Sequence, residues 1–111
     1  MIGITSHVLD LTTGTPAAGL EISLERATST GWLPLGRAAT DADGRVREAF
    51  ATLPAAGRYR LTFATGAWFA ARKVACFHPE VTVVFEVRDP AHHHHVPLLL
   101  SPFGYSTYRG S

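Results

Sequence analysis

The chain has 111 residues, enough for one domain with a modest core. A hydrophobic fraction of 46% against 17% charged excludes a disordered chain, and a net charge of +1 leaves no electrostatic footprint for nucleic acid or an anionic membrane. A single cysteine, Cys76, excludes an intrachain disulfide, and no apolar run approaches the roughly 20 residues of a membrane span.

The opening "MIGITSHVLDL" lacks the cationic region and long apolar run of a signal peptide, which predicts a soluble, cytoplasmic protein. Ile4 to Leu9 reads as a strand, with Ile4 and Val8 on one face and Thr5, His7 and Leu9 on the other. "TTGTPAAG" reads as a turn. In "GLEISLERA", Leu20, Ile22 and Leu24 alternate with Glu21, Ser23 and Glu25, and Trp32 to Ala38 makes a third strand. The "TDADG" turn leads into Arg45 to Phe50, where Val46 and Phe50 point inward and leave Arg45 and Arg47 outside. After "LPAAG", "RYRLTF" sets Tyr59, Leu61 and Phe63 against Arg58, Arg60 and Thr62. "GAWFAARK" is the one helical candidate, about two turns long, with cations near the end that the helix dipole favours. "EVTVVFEVR" groups Val81, Val83, Phe85 and Val87, and beyond the "RDPA" turn lie His93 to Leu100 and Phe103 to Arg109. Eight short strands and one short helix predict an all-β fold: an eight-stranded, two-sheet β-sandwich over residues 1–111 as a single domain.

Six histidines are many for this length, and four of them, His92 to His95, are consecutive. A purification tag fits poorly, because tags sit at termini and this run precedes a strand. A solvated edge is a second reading. A metal site is a third, since His93 and His95 share one strand face and His92 and His94 the other. A fixed structural zinc needs four ligands, typically including cysteine, and Cys76 is far away, so no metal is predicted. With Val96, Leu98 and Leu100 inward, His93 and His95 fall on an outer face, as do His7 and Arg45 on their own strands.

"SHVLDLTTGTPAAGL", "TDADGR", "HHVPLLLSPFGYSTYRGS" and the closing Tyr108-Arg109-Gly110-Ser111 together resemble the 5-hydroxyisourate hydrolases, the enzyme branch of the transthyretin-like family. The resemblance covers nearly the whole chain. The closing "YRGS" is its most specific piece, because it separates these hydrolases from hormone-carrying transthyretins. The resemblance implies two four-stranded sheets, with the first, fourth, seventh and eighth strands in one of them. Strands about 4.8 Å apart would then bring His7, Arg45, His95 and the tail to one face. It implies hydrolysis of a cyclic amide-type C–N bond in 5-hydroxyisourate, giving 2-oxo-4-hydroxy-4-carboxy-5-ureidoimidazoline in urate degradation, with no cofactor. His7 or His95 would be the general base and Arg45 the electrostatic stabiliser, and Tyr108, Arg109, Gly110 and Ser111 would bind substrate. It also implies a homotetramer, a dimer of dimers, with sites roofed at the dimer–dimer interface.

Two expectations concern the tail. Strict alternation puts Tyr108 and Ser111 on opposite faces unless the chain end leaves strand geometry, which Gly110 makes inexpensive. The apolar share of the last strand is expected in Phe103 and Tyr105. Rival readings are a carrier of a hydrophobic ligand, a structural sandwich module and a metal-storing protein. The histidine–arginine set with "YRGS" speaks against the carrier.

Overall fold

Alternation of apolar and polar residues dictates half-buried strands, and the chain folds accordingly. The computed structural model describes residues 3–47, 50 and 55–111. The described elements are β1 (Ile4–Asp10), β2 (Thr15–Pro16), β3 (Glu21–Thr28), β4 (Gly31–Ala39), β5 (Arg45–Val46), β6 (Gly57–Phe63), α1 (Thr65–Ala71), β7 (Val81–Val87), β8 (His94–Ser101) and β9 (Gly104–Thr107). One sheet runs β2-β1-β8-β9 with β5 paired to β1, and the other runs β4-β3-β6-β7. β1 and β8 are parallel, in register from Ile4↔His94 to Asp10↔Leu100. The remaining strand pairs are antiparallel.

Between the sheets lies one core. Leu20, Ile22 and Leu24 of the β3 region meet Tyr59, Leu61 and Phe63 of β6, and Val8, Val96, Leu98 and Leu100 of the opposing sheet. Burying a side chain such as Phe63 is worth about 1.5–3 kcal/mol. The seven residues of α1 are too few to hold a helix alone. Its buried face, Trp68 and Phe69, ties it to the sandwich, and Trp68 Nε1 donates to the Ala18 carbonyl at 2.8 Å.

Three details differ from the sequence reading, and one agrees. The "TTGTPAAG" segment contributes the two-residue strand β2, because Leu9 and Asp10 pair with Pro16 and Thr15. The expected Arg45 to Phe50 strand is described only as Arg45–Val46; Glu48 and Ala49 lie outside the described residues, as do Met1, Ile2 and the beginning of the "LPAAG" turn within 51–54. The expected cations do sit at the helix end: Arg72 is the C-cap and Lys73 follows it, with the Arg72 guanidinium 3.7 Å from the centre of the Trp68 ring and Nη1 donating to the Trp68 carbonyl at 3.1 Å. Phe103 and Tyr105 do not supply core, being 70% and 42% exposed. Phe103 falls in the turn between β8 and β9, and Tyr105 lies on an edge strand with its ring against His78 at 5.1 Å.

Candidate active site

The outer face of the β1–β8 sheet is assembled from three local devices. The first is the "DADGR" turn. The Asp41 carboxylate accepts the backbone N–H groups of Asp43 and Arg45, both at 2.9 Å, and these bonds hold it below the usual carboxylate range. Gly44 has φ +74°, and a Cβ there would stand 2.5 Å from the Val8 carbonyl oxygen. Only glycine fits that turn, which delivers Arg45 onto β5 directly opposite His7.

The second device is the parallel ladder. Register pairs Thr5 with His95 and His7 with Pro97, so Thr5, His7 and His95 share the outward face beside Arg45. The Thr5 hydroxyl lies 2.7 Å from His95 Nδ1 and 2.7 Å from His93 Nε2. The two imidazole centroids are 6.4 Å apart.

The third device is the tail. Beyond β9 the chain leaves the ladder and returns as an isolated bridge in which Gly110 N–H donates to the His95 carbonyl at 2.8 Å. A Cβ on Gly110 would stand 2.5 Å from His95 Cδ2, so glycine is what lets the tail lie against that ring. Arg109 Nη2 donates to the His93 carbonyl at 3.3 Å.

Together these devices shape an open concavity of about 580 Å³, lined by Thr5, Arg45, Arg47, His93, His95 and Ser111. His95 is held below the ordinary histidine value, first by burial and then by the positive fields of Arg45, His93 and His7. A neutral imidazole beside a fixed guanidinium can take a proton from water while the guanidinium stabilises a developing oxyanion.

Of the anticipated residues, Arg45, His95 and Ser111 share this concavity, His7 flanks it on β1, and Gly110 packs on the His95 ring. Tyr108 and Arg109 line a different space within the chain. That gap of about 300 Å³ is walled by Val83 to Glu86 of β7, His94 and Val96. His94 is 5% exposed, faces inward, and its Nδ1 has no hydrogen-bond partner among the described residues. Burial foremost, then Arg109, lowers its pKa. Sequence reasoning gave Thr5 no role and left that of His93 open: parity puts His93 on the His95 face, but only the β1–β8 register sets Thr5 beside His95.

A larger open groove of about 840 Å³ crosses the other sheet and contains Glu21, Glu25, Arg37 and Arg60. Four of its charges are paired, Arg60 to Glu25 at 2.7 Å and Arg37 to Glu21, as expected of a solvated face. Among the described residues no group of three or more His, Cys, Asp or Glu could hold a metal ion, and no helix is long and apolar enough to cross a membrane.

Residues 4–110 match the HIUase/Transthyretin family. The 5-hydroxyisourate hydrolase of Salmonella typhimurium is 46% identical over 109 residues, covering 97% of this chain and 80% of that protein. The 5-hydroxyisourate hydrolase of Caulobacter vibrioides is 45% identical over 117 residues, covering all of both. Among solved structures, Klebsiella pneumoniae 5-hydroxyisourate hydrolase superposes with a TM-score of 0.86 at 40% identity, over 98% of this chain and 99% of that one. Sea bream transthyretin in complex with thyroxine superposes at 0.91 with 31% identity, over 96% and 93%.

Proposed function

Because the chain belongs to the HIUase/transthyretin family, we propose that it is a hydrolase of 5-hydroxyisourate in urate degradation, opening a C–N bond of that cyclic substrate to give 2-oxo-4-hydroxy-4-carboxy-5-ureidoimidazoline. Backbone likeness does not separate enzyme from carrier: the transthyretin superposes slightly better than the hydrolase. The side chains do. The observation that carries the reading is the concavity in which His95, with its depressed basicity, stands with Arg45 and Ser111. Such a site suits a polar heterocycle rather than an apolar hormone.

In the proposed mechanism His95 takes a proton from water and the resulting nucleophile adds to the ring carbonyl. Arg45 offsets the negative charge gathering on the carbonyl oxygen. The proton then passes to the departing nitrogen. His7, opposite Arg45 in the ladder, adds a second imidazole, and Ser111 positions substrate. Tyr108 and Arg109 hold the tail from the neighbouring gap rather than from the concavity itself.

The proposal extends to a cytoplasmic homotetramer. The concavity is open, and a roof from another chain would close it. β7 and β9 end their sheets and offer unpaired backbone to a second copy. The test is direct: 5-hydroxyisourate is generated in situ from urate with urate oxidase and its absorbance decay followed with and without the protein. Accelerated decay is expected, and decay at the spontaneous rate overturns the reading.

A further inference from the structure

Thr5 carries one hydroxyl, and two imidazole nitrogens approach it at 2.7 Å, His95 Nδ1 and His93 Nε2. A hydroxyl has one proton to give and lone pairs to accept. It can donate to only one of them, so at least one ring nitrogen is an N–H donor, and a relay through the hydroxyl needs the other to be a bare acceptor. We infer that Thr5 is a positioning residue that sets the tautomer of His95 and links it to His93 as the end of a proton relay. The inference rests on the hydrolase reading above.

Of the two relay arrangements, only one leaves His95 Nε2 bare and able to act as base. In it His95 Nδ1–H donates to Thr5 Oγ1, and the Thr5 hydroxyl donates to His93 Nε2. When Nε2 takes a proton from water, the Nδ1 proton moves to Oγ1 as the hydroxyl proton moves to His93. One O–H bond of water, the His95 Nδ1–H and the old threonine O–H break. A His95 Nε2–H, a new threonine O–H and a His93 Nε2–H form. The positive charge ends on His93, and His95 is neutral with a proton on Nε2 for the departing nitrogen. Giving up that proton lets the relay run backward and restores the starting state.

The surroundings favour this direction. His95 is half-buried, with Arg45 on β5 and His7 on β1 both opposing a positive charge on it. His93 is exposed, so water solvates the charge it receives. In the tail, Arg109 Nη2 donates to the His93 carbonyl, and Ser111 lines the same concavity as His93. Backbone anchors keep the relay in line: the Thr5↔His95 register, Gly110 on the His95 carbonyl and Arg109 on that of His93.

Three variants test it in the otherwise native protein: Thr5→Val, which keeps shape and removes the hydroxyl, Thr5→Ser, which keeps the hydroxyl, and His93→Leu at an exposed position. Thr5→Val and His93→Leu are expected to lower kcat roughly 10- to 100-fold with KM within about twofold, the scale of a weakened acid–base step. Both should remove one ionisation from the acid limb of the kcat–pH profile, and Thr5→Ser should keep the native profile. Histidine ¹⁵N shifts should report a redistributed His95 tautomer in Thr5→Val. A native rate and profile in either Thr5→Val or His93→Leu overturns the relay, and so does a Thr5→Ser as impaired as Thr5→Val. A native protein inactive on 5-hydroxyisourate would overturn the hydrolase reading instead.

Discussion

At the scale of single residues, the proposed chemistry rests on groups that contribute little to the core. His7→Ala, Arg45→Ala and His95→Ala are each expected to lower turnover at least roughly 100-fold while the fold survives, because none is a buried apolar group. His92→Ala, exposed and outside β8, should be nearly silent. In situ substrate assays with circular dichroism on each variant check this set. Protons give a second expectation. His94 and His95 are both held below the ordinary value of 6.5, chiefly by burial. As pH falls through 6.5 the unfolded chain binds protons that the folded chain refuses, so stability present above that value is lost on acidification, until the folded values are passed. The melting temperature should drop between about pH 7 and 5, and His94→Phe should flatten that fall, because its ring cannot titrate. The same depression keeps His95 neutral at neutral pH, so the acid limb of kcat/KM should lie below the ordinary histidine range.

At the scale of elements, two glycines translate backbone geometry into site geometry. Gly44 lets the turn before β5 pass over the Val8 carbonyl. Gly44→Ala should strain the left-handed conformation, collide with that carbonyl and cost about 1–3 kcal/mol. It should lower both the melting temperature and turnover, since Arg45 follows directly. Gly110 behaves differently, because it lies on the exposed tail and its neighbour is the His95 ring. Gly110→Ala should leave the melting temperature nearly intact and reduce turnover on the order of 100-fold by displacing the imbedded imidazole about 1 Å. Deleting Tyr108 to Ser111 should do the same more severely: the deleted side chains are outside the core, so stability is largely kept while the wall against His95 is lost. Normal turnover in a destabilised truncation would show the tail to be structural only.

At the scale of the whole molecule, the fold supplies a rigid platform and leaves its working face open. Two edge strands, β7 and β9, lie on either side of the gap that holds His94, with Val84 and Tyr105 exposed along them. Unpaired edges of this kind are a liability in an isolated chain. Sedimentation should give a mass near four chains, and specific activity should fall on dilution as the contact that closes the concavity dissociates. A fully active monomer would remove the need for a partner roof.

Period-2 alternation and turn chemistry determined the strands, because burial on one face leaves its pattern in each segment regardless of what that segment pairs with. Leu20, Ile22 and Leu24, or Tyr59, Leu61 and Phe63, could be placed inside from the sequence alone, and the parity of His7, Arg45 and His95 put them outside. Tyr108 and Ser111 line different spaces, but the chain has left strand geometry after Thr107, so alternation does not decide that placement. Failures came where local pattern carries no information about neighbours. Phe103 and Tyr105 look like core, yet edge position and a turn leave them exposed. Thr5 looks like an ordinary strand residue, and only the parallel register with β8 sets its hydroxyl between two imidazoles. His94 and His95 are identical in sequence, but one points into an apolar gap and the other into the candidate site. Alternation is a property of one strand, whereas register, edge position and the approach of Gly110 to His95 arise from pairing between strands far apart in the chain, and tertiary structure alone decides those.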